Sequence, residues 1–448
     1  MNRLSMDSDE QGWKFDPGLA QRFAHLELRL LGGRAIGIAD NRFTDLQSAL
    51  GGPGCRVLNG NPRDLRLENI ARLDYRLGGH GELQASLATL LQAPTYAIPE
   101  QEPVLELGLQ PLRLGRQSPY GFLPLGQSRR RENISLDSID TPATLLTLSH
   151  WPANKTPADY KANLSTSSAL DFIQRGQAPE QAEVITSDHF DLDGLASVYA
   201  FLAPEHALKH RQLLIDIARL GDFARGTSNV ALQCGFALNA LASRVSSDHS
   251  GSNDRLLLAR FAALLPQMAD VLERPGRYAE LYRPALEQLQ RSETLLAHPQ
   301  TRIEEYPEID LAVLHLPYAA GPGDYLGLMP VAVHNRSRCG VLALVSPGRV
   351  EIRQRYESWV ERVSGIPRPR RDLAIFARAL QQAEATPGQW HYPGVQEIMP
   401  GLKFVAERPS SLSVSQVLLE LRQFLAQAPV AWDANANLVP ACRALERA

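Results

Sequence analysis

The chain has 448 residues, 44% of them hydrophobic, which is enough for two or three domains each with its own core. A formal charge of −3 and a pI near 6.4 exclude a broadly basic protein, so any contact with nucleic acid has to come from a local patch. The opening residues, with Asp7, Asp9 and Glu10, are too polar for a signal peptide, and no uncharged apolar run approaches the roughly 20 residues of a membrane span. Cys55, Cys234, Cys339 and Cys442 form no C-x-x-C pair, which argues against structural zinc or a disulfide framework and for a reducing, cytoplasmic setting.

Residues 15–93 mix short strand-like and helix-like stretches, an α+β pattern. Within them, Arg56-Val57-Leu58-Asn59-Gly60-Asn61 makes a tight turn and Asp64 caps a helix running to Asn69-Ile70. The string resembles the centre of HNH homing-type endonuclease domains, where a histidine precedes I-N-G-N and a helix follows at L-D-x-R-x-x-N-L. In that family the histidine activates water; Val57 stands in its place and can neither take a proton nor bind a metal. The resemblance therefore implies a degenerate module without nuclease chemistry, with DNA or RNA contact through Arg56, Arg63, Arg66 and Arg72. An ordinary Asn-Gly turn before a capped helix accounts for the same residues. Residues 94–140, with Pro94, Pro99, Pro103, Pro111 and Pro119, are expected to form an extended linker.

The next region, 141–305, opens on the strand-like Leu145-Leu146-Thr147-Leu148-Ser149-His150. A second buried strand, Glu183-Val184-Ile185-Thr186, leads into His189-Phe190-Asp191-Leu192-Asp193-Gly194. Alternation places His189, Asp191 and Asp193 on one face at the carboxyl end of that strand, where open α/β sheets bind ligands, with Gly194 giving a sharp exit and Ser197 in the first turn of a helix. Helical patterns follow around Leu208–Leu220, Val230–Ala242 and Leu256–Leu272. The pattern H-x-D-x-D-G-x-x-S resembles the first motif of the DHH phosphoesterase superfamily. That resemblance implies Mn²⁺ or Mg²⁺ bound by Asp191 and Asp193, with His189 beside them and Asp222 of Gly221-Asp222-Phe223 as a further ligand. The name-giving Asp-His-His is missing; Asp248-His249-Ser250 is its nearest approximation.

Residues 306–448 are expected to form a C-terminal α/β domain. A strand lies near Ile309–Leu316, a hairpin turns at Ser346-Pro347-Gly348, and Ser413 caps a helix over 413–426. Arg349, Glu351, Arg353 and Arg355 alternate, so one strand face presents either a row of guanidiniums for a substrate phosphate, with Arg353 and Arg355 as the binding pair, or a charged edge.

The expected fold is α/β: a DHH-like parallel-sheet core, a second C-terminal α/β domain and a small N-terminal α+β module. The expected activity is metal-dependent hydrolysis of a phosphodiester or phosphomonoester, on a phosphorylated small molecule or a nucleic-acid end, with Asp191 and Asp193 as the catalytic pair. The competing expectation is an inactive protein that binds nucleotide or nucleic acid on the same scaffolds.

Overall fold

The computed structural model describes residues 109–436, apart from 116–117, 177–178, 180 and 246–252, together with six backbone strands before residue 87. The chain divides into two compact units, Met1–Leu105 and Glu106–Ala448. In the first unit, β1 (Ser5–Asp7), β2 (Gly12–Lys14), β3 (Leu26–Leu31) and β4 (Arg34–Ala39) form an antiparallel sheet in that order, and β5 (Arg72–Leu77) pairs with β6 (Gly81–Ser86). The HNH-like string with Arg56, Val57, Arg63 and Arg66 lies outside the described residues, as does Asp248-His249-Ser250.

The second unit begins with a four-stranded sheet of β7 (Gly121–Pro124), β8 (Asn133–Leu136), β9 (Thr144–Leu148) and β10 (Val184–Ser187), ordered β7-β10-β8-β9 and parallel throughout. Phe122, Ile134, Leu136, Leu148 and Ile185 have no exposed surface. Strands covered on both faces read as continuous apolar runs, and each such side chain contributes about 1.5–3 kcal/mol by leaving water. Two of these strands, β7 and β8, fall inside the stretch expected to be a linker. Pro111 and Pro119 flank the strands without interrupting them, and the strands are too short and too fully buried to show alternation.

Helices α1 (Leu125–Ser128), α2 (Ser165–Gln174), α3 (Leu192–Leu202), α4 (Pro204–Lys209), α5 (Arg211–Phe223), α6 (Asn229–Arg244), α7 (Asn253–Leu264) and α8 (Met268–Glu273) pack with this sheet. Every residue of α3 is buried. The pattern near 256–272 is split between α7 and α8 by a short turn containing Pro266, because proline removes an amide donor and crowds the preceding helical turn. The long helix α9 (Ala279–Leu296) accommodates Pro284 near its start.

The chain then builds a mixed six-stranded sheet from β11 (Arg302–Tyr306), β12 (Leu311–His315), β13 (Val341–Ser346), β14 (Arg349–Gln354), β16 (Gln389–His391) and β17 (Gly401–Val405), ordered β11-β12-β13-β14-β17-β16. Only β12 and β13 pair in parallel. The expected hairpin forms between β13 and β14, with Gly348 at φ 69° in its turn. The short strands β15 (Arg370–Arg371) and β18 (Val430–Trp432) pair separately. Three further helices, α10 (Pro330–His334), α11 (Ala374–Ala383) and α12 (Val414–Gln427), complete the unit, and the Ser413 hydroxyl caps α12 by accepting from the Gln416 amide at 3.2 Å. An aromatic cluster of Trp151, Phe223, Tyr356, Trp359 and Trp432 joins residues of the two halves. No described helix is long and apolar enough to cross a membrane.

Candidate metal centre and its basic cleft

Strand β10 is interior to its sheet, and the chain leaves its carboxyl end through Asp188 and His189. Here the local geometry differs from simple strand alternation. Helix α3 starts at Leu192, so Asp191 is its N-cap, Asp193 lies in its first turn, and Ser197 sits in the second turn rather than the first. Asp191 Oδ1 accepts from the Gly194 amide at 2.7 Å, the usual way a cap satisfies an orphan helix donor. A Cβ at Gly194 would stand 3.2 Å from Asp191 Oδ1 and 3.4 Å from Asp137 Oδ2; the glycine is needed because carboxylates crowd it.

Asp193 is fully buried and points the other way, to the start of α2. Its carboxylate accepts from the amides of Ser165 (2.8 Å) and Thr166 (2.7 Å), both at a helix N-terminus that favours negative charge. Two residues not assigned to the site from the H-x-D-x-D-G motif join it. Asp137, just past β8 and in the left-handed conformation (φ 49°), accepts from Ser165 Oγ at 2.7 Å through Oδ1. His150, just past β9, faces three carboxylates: its Nε2 is 3.2 Å from Asp222 Oδ2, 3.6 Å from Asp137 Oδ1 and 3.7 Å from Asp193 Oδ2. His150 Nδ1 lies 2.7 Å from the Asn163 carbonyl, which can only accept. Nδ1 therefore carries a hydrogen, and Nε2 is the nitrogen that faces the carboxylates.

Asp222 comes from the end of α5 and is 6% exposed. Glycine at 221 allows its approach, since a Cβ there would meet Leu192 Cβ at 2.8 Å and hold α5 away from α3. The last carbonyl of α5, on Phe223, accepts from His334 Nδ1 at 2.9 Å, and His334 Nε2 in turn lies 3.0 Å from the Tyr325 hydroxyl. Burial holds the His334 imidazole down to about 4, so at neutral pH its Nε2 is the acceptor for that hydroxyl.

Four carboxylates thus meet in one place. Burial first, and then the charges of Asp191 and Asp193, raise Asp137 well above the usual carboxylate range; Asp222 is raised well above it by burial and by the same two neighbours. Burial also raises Asp193, which His150 only partly offsets. Asp191 is the exception: burial pushes it up, but the adjacent His189 charge and hydrogen bonds outweigh that and bring it down to about 2. Asp137 Oδ2 and both oxygens of Asp222 are buried and meet no hydrogen-bond donor.

His189 lies on the rim with its side chain 30% exposed, next to the 31% exposed Asp191. Its Nδ1 is 2.8 Å from Asp188 Oδ1 and its Nε2 3.1 Å from Asp191 Oδ2, with Asp137 Oδ2 at 3.5 Å. Burial opposes its protonation, yet the Asp191 charge and these bonds prevail and raise its pKa well above the usual value. Two sets of three residues have ligand atoms close enough to hold an ion, Asp137-His150-Asp193 and Asp137-His189-Asp191, and Asp137 belongs to both. Tyr356, from the turn after β14, closes the floor with its hydroxyl 3.4 Å from His150 Nε2.

The arginines expected to bind substrate are engaged elsewhere. Arg353 is 6% exposed, pairs with Glu351 and with Asp324, and lies over the Tyr325 ring. Arg355 is 1% exposed and gives its guanidinium to Glu357 and to the Ser337 carbonyl. Strand β14 is interior, between β13 and β17, so its charges do not guard an edge either. A different basic cleft, of about 330 Å³, adjoins the carboxylates. Lys161, Asn163, Arg219, Phe223, Arg225 and Arg362 line it, and it shares the Asn163–Leu164 wall that leads into Ser165 and the α5 end that carries Asp222. Burial and then the nearby Arg355 charge lower the Arg225 guanidinium to about 10, despite its contact with Glu357 at 3.4 Å.

Comparison with known proteins gives little beyond this geometry. No curated protein matches the sequence. Among solved structures, RecJ in complex with Mn²⁺ from Thermus thermophilus is similar at 16% identity and a TM-score of 0.24, over 58% of this chain and 41% of that one, so this chain spans about two fifths of its length. The family described as a family of unknown function, DUF6687, matches residues 118–436, which contain all six residues of the acidic cluster and the whole basic cleft, and the chain belongs to that family.

Proposed function

We propose that the protein is a divalent-metal-dependent phosphoesterase that hydrolyses a phosphodiester or phosphomonoester of a nucleotide or nucleic-acid end. The observation that carries this reading is the set of four converging carboxylates, three of them buried, with Asp137 Oδ2 and both Asp222 oxygens outside any hydrogen bond. Like charges so placed repel, and the missing positive partner is best supplied by a cation. The donor set is mainly carboxylate oxygen with one imidazole lone pair, which suits Mn²⁺ or Mg²⁺. Asp137, His150, Asp191, Asp193 and Asp222 would hold it. When bound, such an ion lowers the pKa of water and neutralises charge on a phosphoryl oxygen.

The protein's own groups do the rest. The amides of Ser165 and Thr166 fix Asp193, and the Ser165 hydroxyl fixes Asp137, so these ligands are oriented before anything binds. His189 belongs to one of the two candidate ligand sets, and with carboxylates at both ring nitrogens it can also serve as a proton donor. On the exposed rim it is placed to protonate the departing alkoxide oxygen as the P–O bond breaks. The cleft lined by Arg219, Arg225 and Arg362 takes the anionic remainder of the substrate, since Arg225 stands near the Arg355 and Arg362 charges and an added phosphate offsets them.

The test is hydrolysis of bis-p-nitrophenyl phosphate and p-nitrophenyl phosphate by the full chain with Mn²⁺. The expected result is metal-dependent release of nitrophenol that is lost in Asp193→Asn and reduced in His189→Gln. Mn²⁺ binding with no hydrolysis of either ester or of oligonucleotides would overturn the hydrolase reading, and saturable nucleotide or oligonucleotide binding by the same sample would then favour a binding protein.

A further inference from the structure

We propose a second, chemically distinct metal site, at His206, His210 and Glu273, that takes a borderline transition-metal ion such as Zn²⁺. It lies where α4 turns into α5, beside the end of α8. The His210 amide donates to the His206 carbonyl at 3.2 Å, so one helical turn separates the two residues. Their rings stand 4.5 Å apart, centre to centre, at 32°. One ligand atom from each of the two imidazoles and from the Glu273 carboxylate lies within 4.8 Å of the others.

Two details separate this cluster from an ordinary surface ion pair. The first is an orienting bond of the kind that supports metal-ligating histidines. Tyr199, 2% exposed on α3, places its hydroxyl 2.8 Å from His206 Nδ1. That bond turns the ring so that Nε2 faces the Glu273 carboxylate, 3.2 Å from Oε1. The second is His210 Nε2, which is shielded from solvent and meets no hydrogen-bond donor or acceptor. A His206–Glu273 ion pair, with Lys209 Nζ 3.9 Å from the same carboxylate oxygen, explains one imidazole. It does not explain a second imidazole turned in beside the first with a nitrogen left unused. A metal ion uses both nitrogens and the carboxylate and leaves an exposed position for water, since Glu273 is 42% exposed.

The donor set also says which ion. Two imidazoles and one carboxylate prefer Zn²⁺ and its neighbours over Mg²⁺, whereas the oxygen-rich cluster prefers Mg²⁺ or Mn²⁺. Binding here would tie the α4–α5 turn to the end of α8, residues far apart in sequence, so the ion acts as a staple on the helical layer.

The test titrates Zn²⁺ into the EDTA-stripped full chain. His206→Ala and His210→Ala should each lose one equivalent of Zn²⁺, while Asp191→Asn combined with Asp193→Asn keeps it. Tyr199→Phe should bind that equivalent about tenfold more weakly, the loss typical when an orienting partner is removed. His206→Gln, which keeps the size and polarity of the side chain, should behave as His206→Ala does if the alanine variants lose their fold. Unchanged Zn²⁺ stoichiometry and affinity in folded His206→Gln and His210→Ala chains would overturn the proposal, as would loss of the equivalent in the aspartate double variant alone.

Discussion

The two sheets of the second unit bury charge in opposite ways. Around the mixed sheet the three buried glutamates each have a cation: Glu351 meets Arg353, Glu357 meets Arg355 and Arg225, and Glu361 meets Lys161. Beside the parallel sheet, Asp137, Asp191, Asp193 and Asp222 converge with two imidazoles among them and with oxygen atoms that meet no donor. Buried pairs complete in themselves hold a fold in register; a cluster in which carboxylates outnumber their cationic partners is complete only with something added.

The largest effect follows from breaking a completed pair. Arg355→Ala should destabilise the protein by about 3–5 kcal/mol, because it leaves Glu357 buried with only the longer Arg225 contact. In EDTA, Asp222→Asn should have the reverse sign and raise the denaturant midpoint by relieving repulsion with Asp191 and Asp193. Equilibrium denaturation of both variants checks the contrast, and equal losses would erase the distinction between the two sheets.

Next in size is the effect of supplying the missing charge. Mn²⁺ at a hundred times its dissociation constant should stabilise the wild-type chain by about 2.7 kcal/mol. Asp193→Asn should show no such gain, and a thermal melt with and without Mn²⁺ reads the difference.

A smaller effect separates cleft from cluster. Arg225→Gln and Arg362→Gln should raise KM for a phosphate ester several-fold while Mn²⁺ affinity stays put, whereas Arg353→Gln should leave KM unchanged. Steady-state kinetics alongside Mn²⁺ titration decides it; a KM effect from Arg353 would move the substrate to β14.

How much of this the sequence disclosed follows the same divide. His189, Asp191 and Asp193 are contiguous, and a strand end followed by a capped helix brings them together by local geometry alone. Asp137 and His150 stand at the ends of β8 and β9, and only the order β7-β10-β8-β9 brings them to the same place. Gly221 before Asp222 was the legible trace of a close helix contact. The alternation of Arg349, Glu351, Arg353 and Arg355 misled because a period of two marks a shared face without saying whether that face is open. The usable signal was an acid two residues from each arginine, Glu351 before Arg353 and Glu357 after Arg355. Of the linker expected over 94–140, the described part from residue 109 carries β7 and β8 instead, because wholly buried strands have no alternation to read.

The smallest effect lies at Asp310, just before β12. Burial raises its carboxyl to about 6, although Oδ1 accepts from the Gly340 amide at 2.8 Å. A folded-state pKa above the unfolded value contributes stability that is full below about pH 4 and lost as pH rises through about 6. An asparagine side chain at this position would keep the acceptor and tolerate φ 56°. Asp310→Asn should therefore stabilise the protein by about 1 kcal/mol at pH 8, allowing for partial exposure, and by almost nothing at pH 4. A gain independent of pH would assign the effect to something other than this carboxyl.

Calorimetric titration of Mn²⁺ into the metal-stripped full chain reads whether a divalent cation completes the carboxylates beside the parallel sheet. Saturable binding is expected in the wild type and its loss in Asp191→Asn combined with Asp193→Asn, with the folded circular dichroism spectrum retained. A folded double variant that binds Mn²⁺ with unchanged affinity, or a wild-type chain that binds none at millimolar supply, would contradict it.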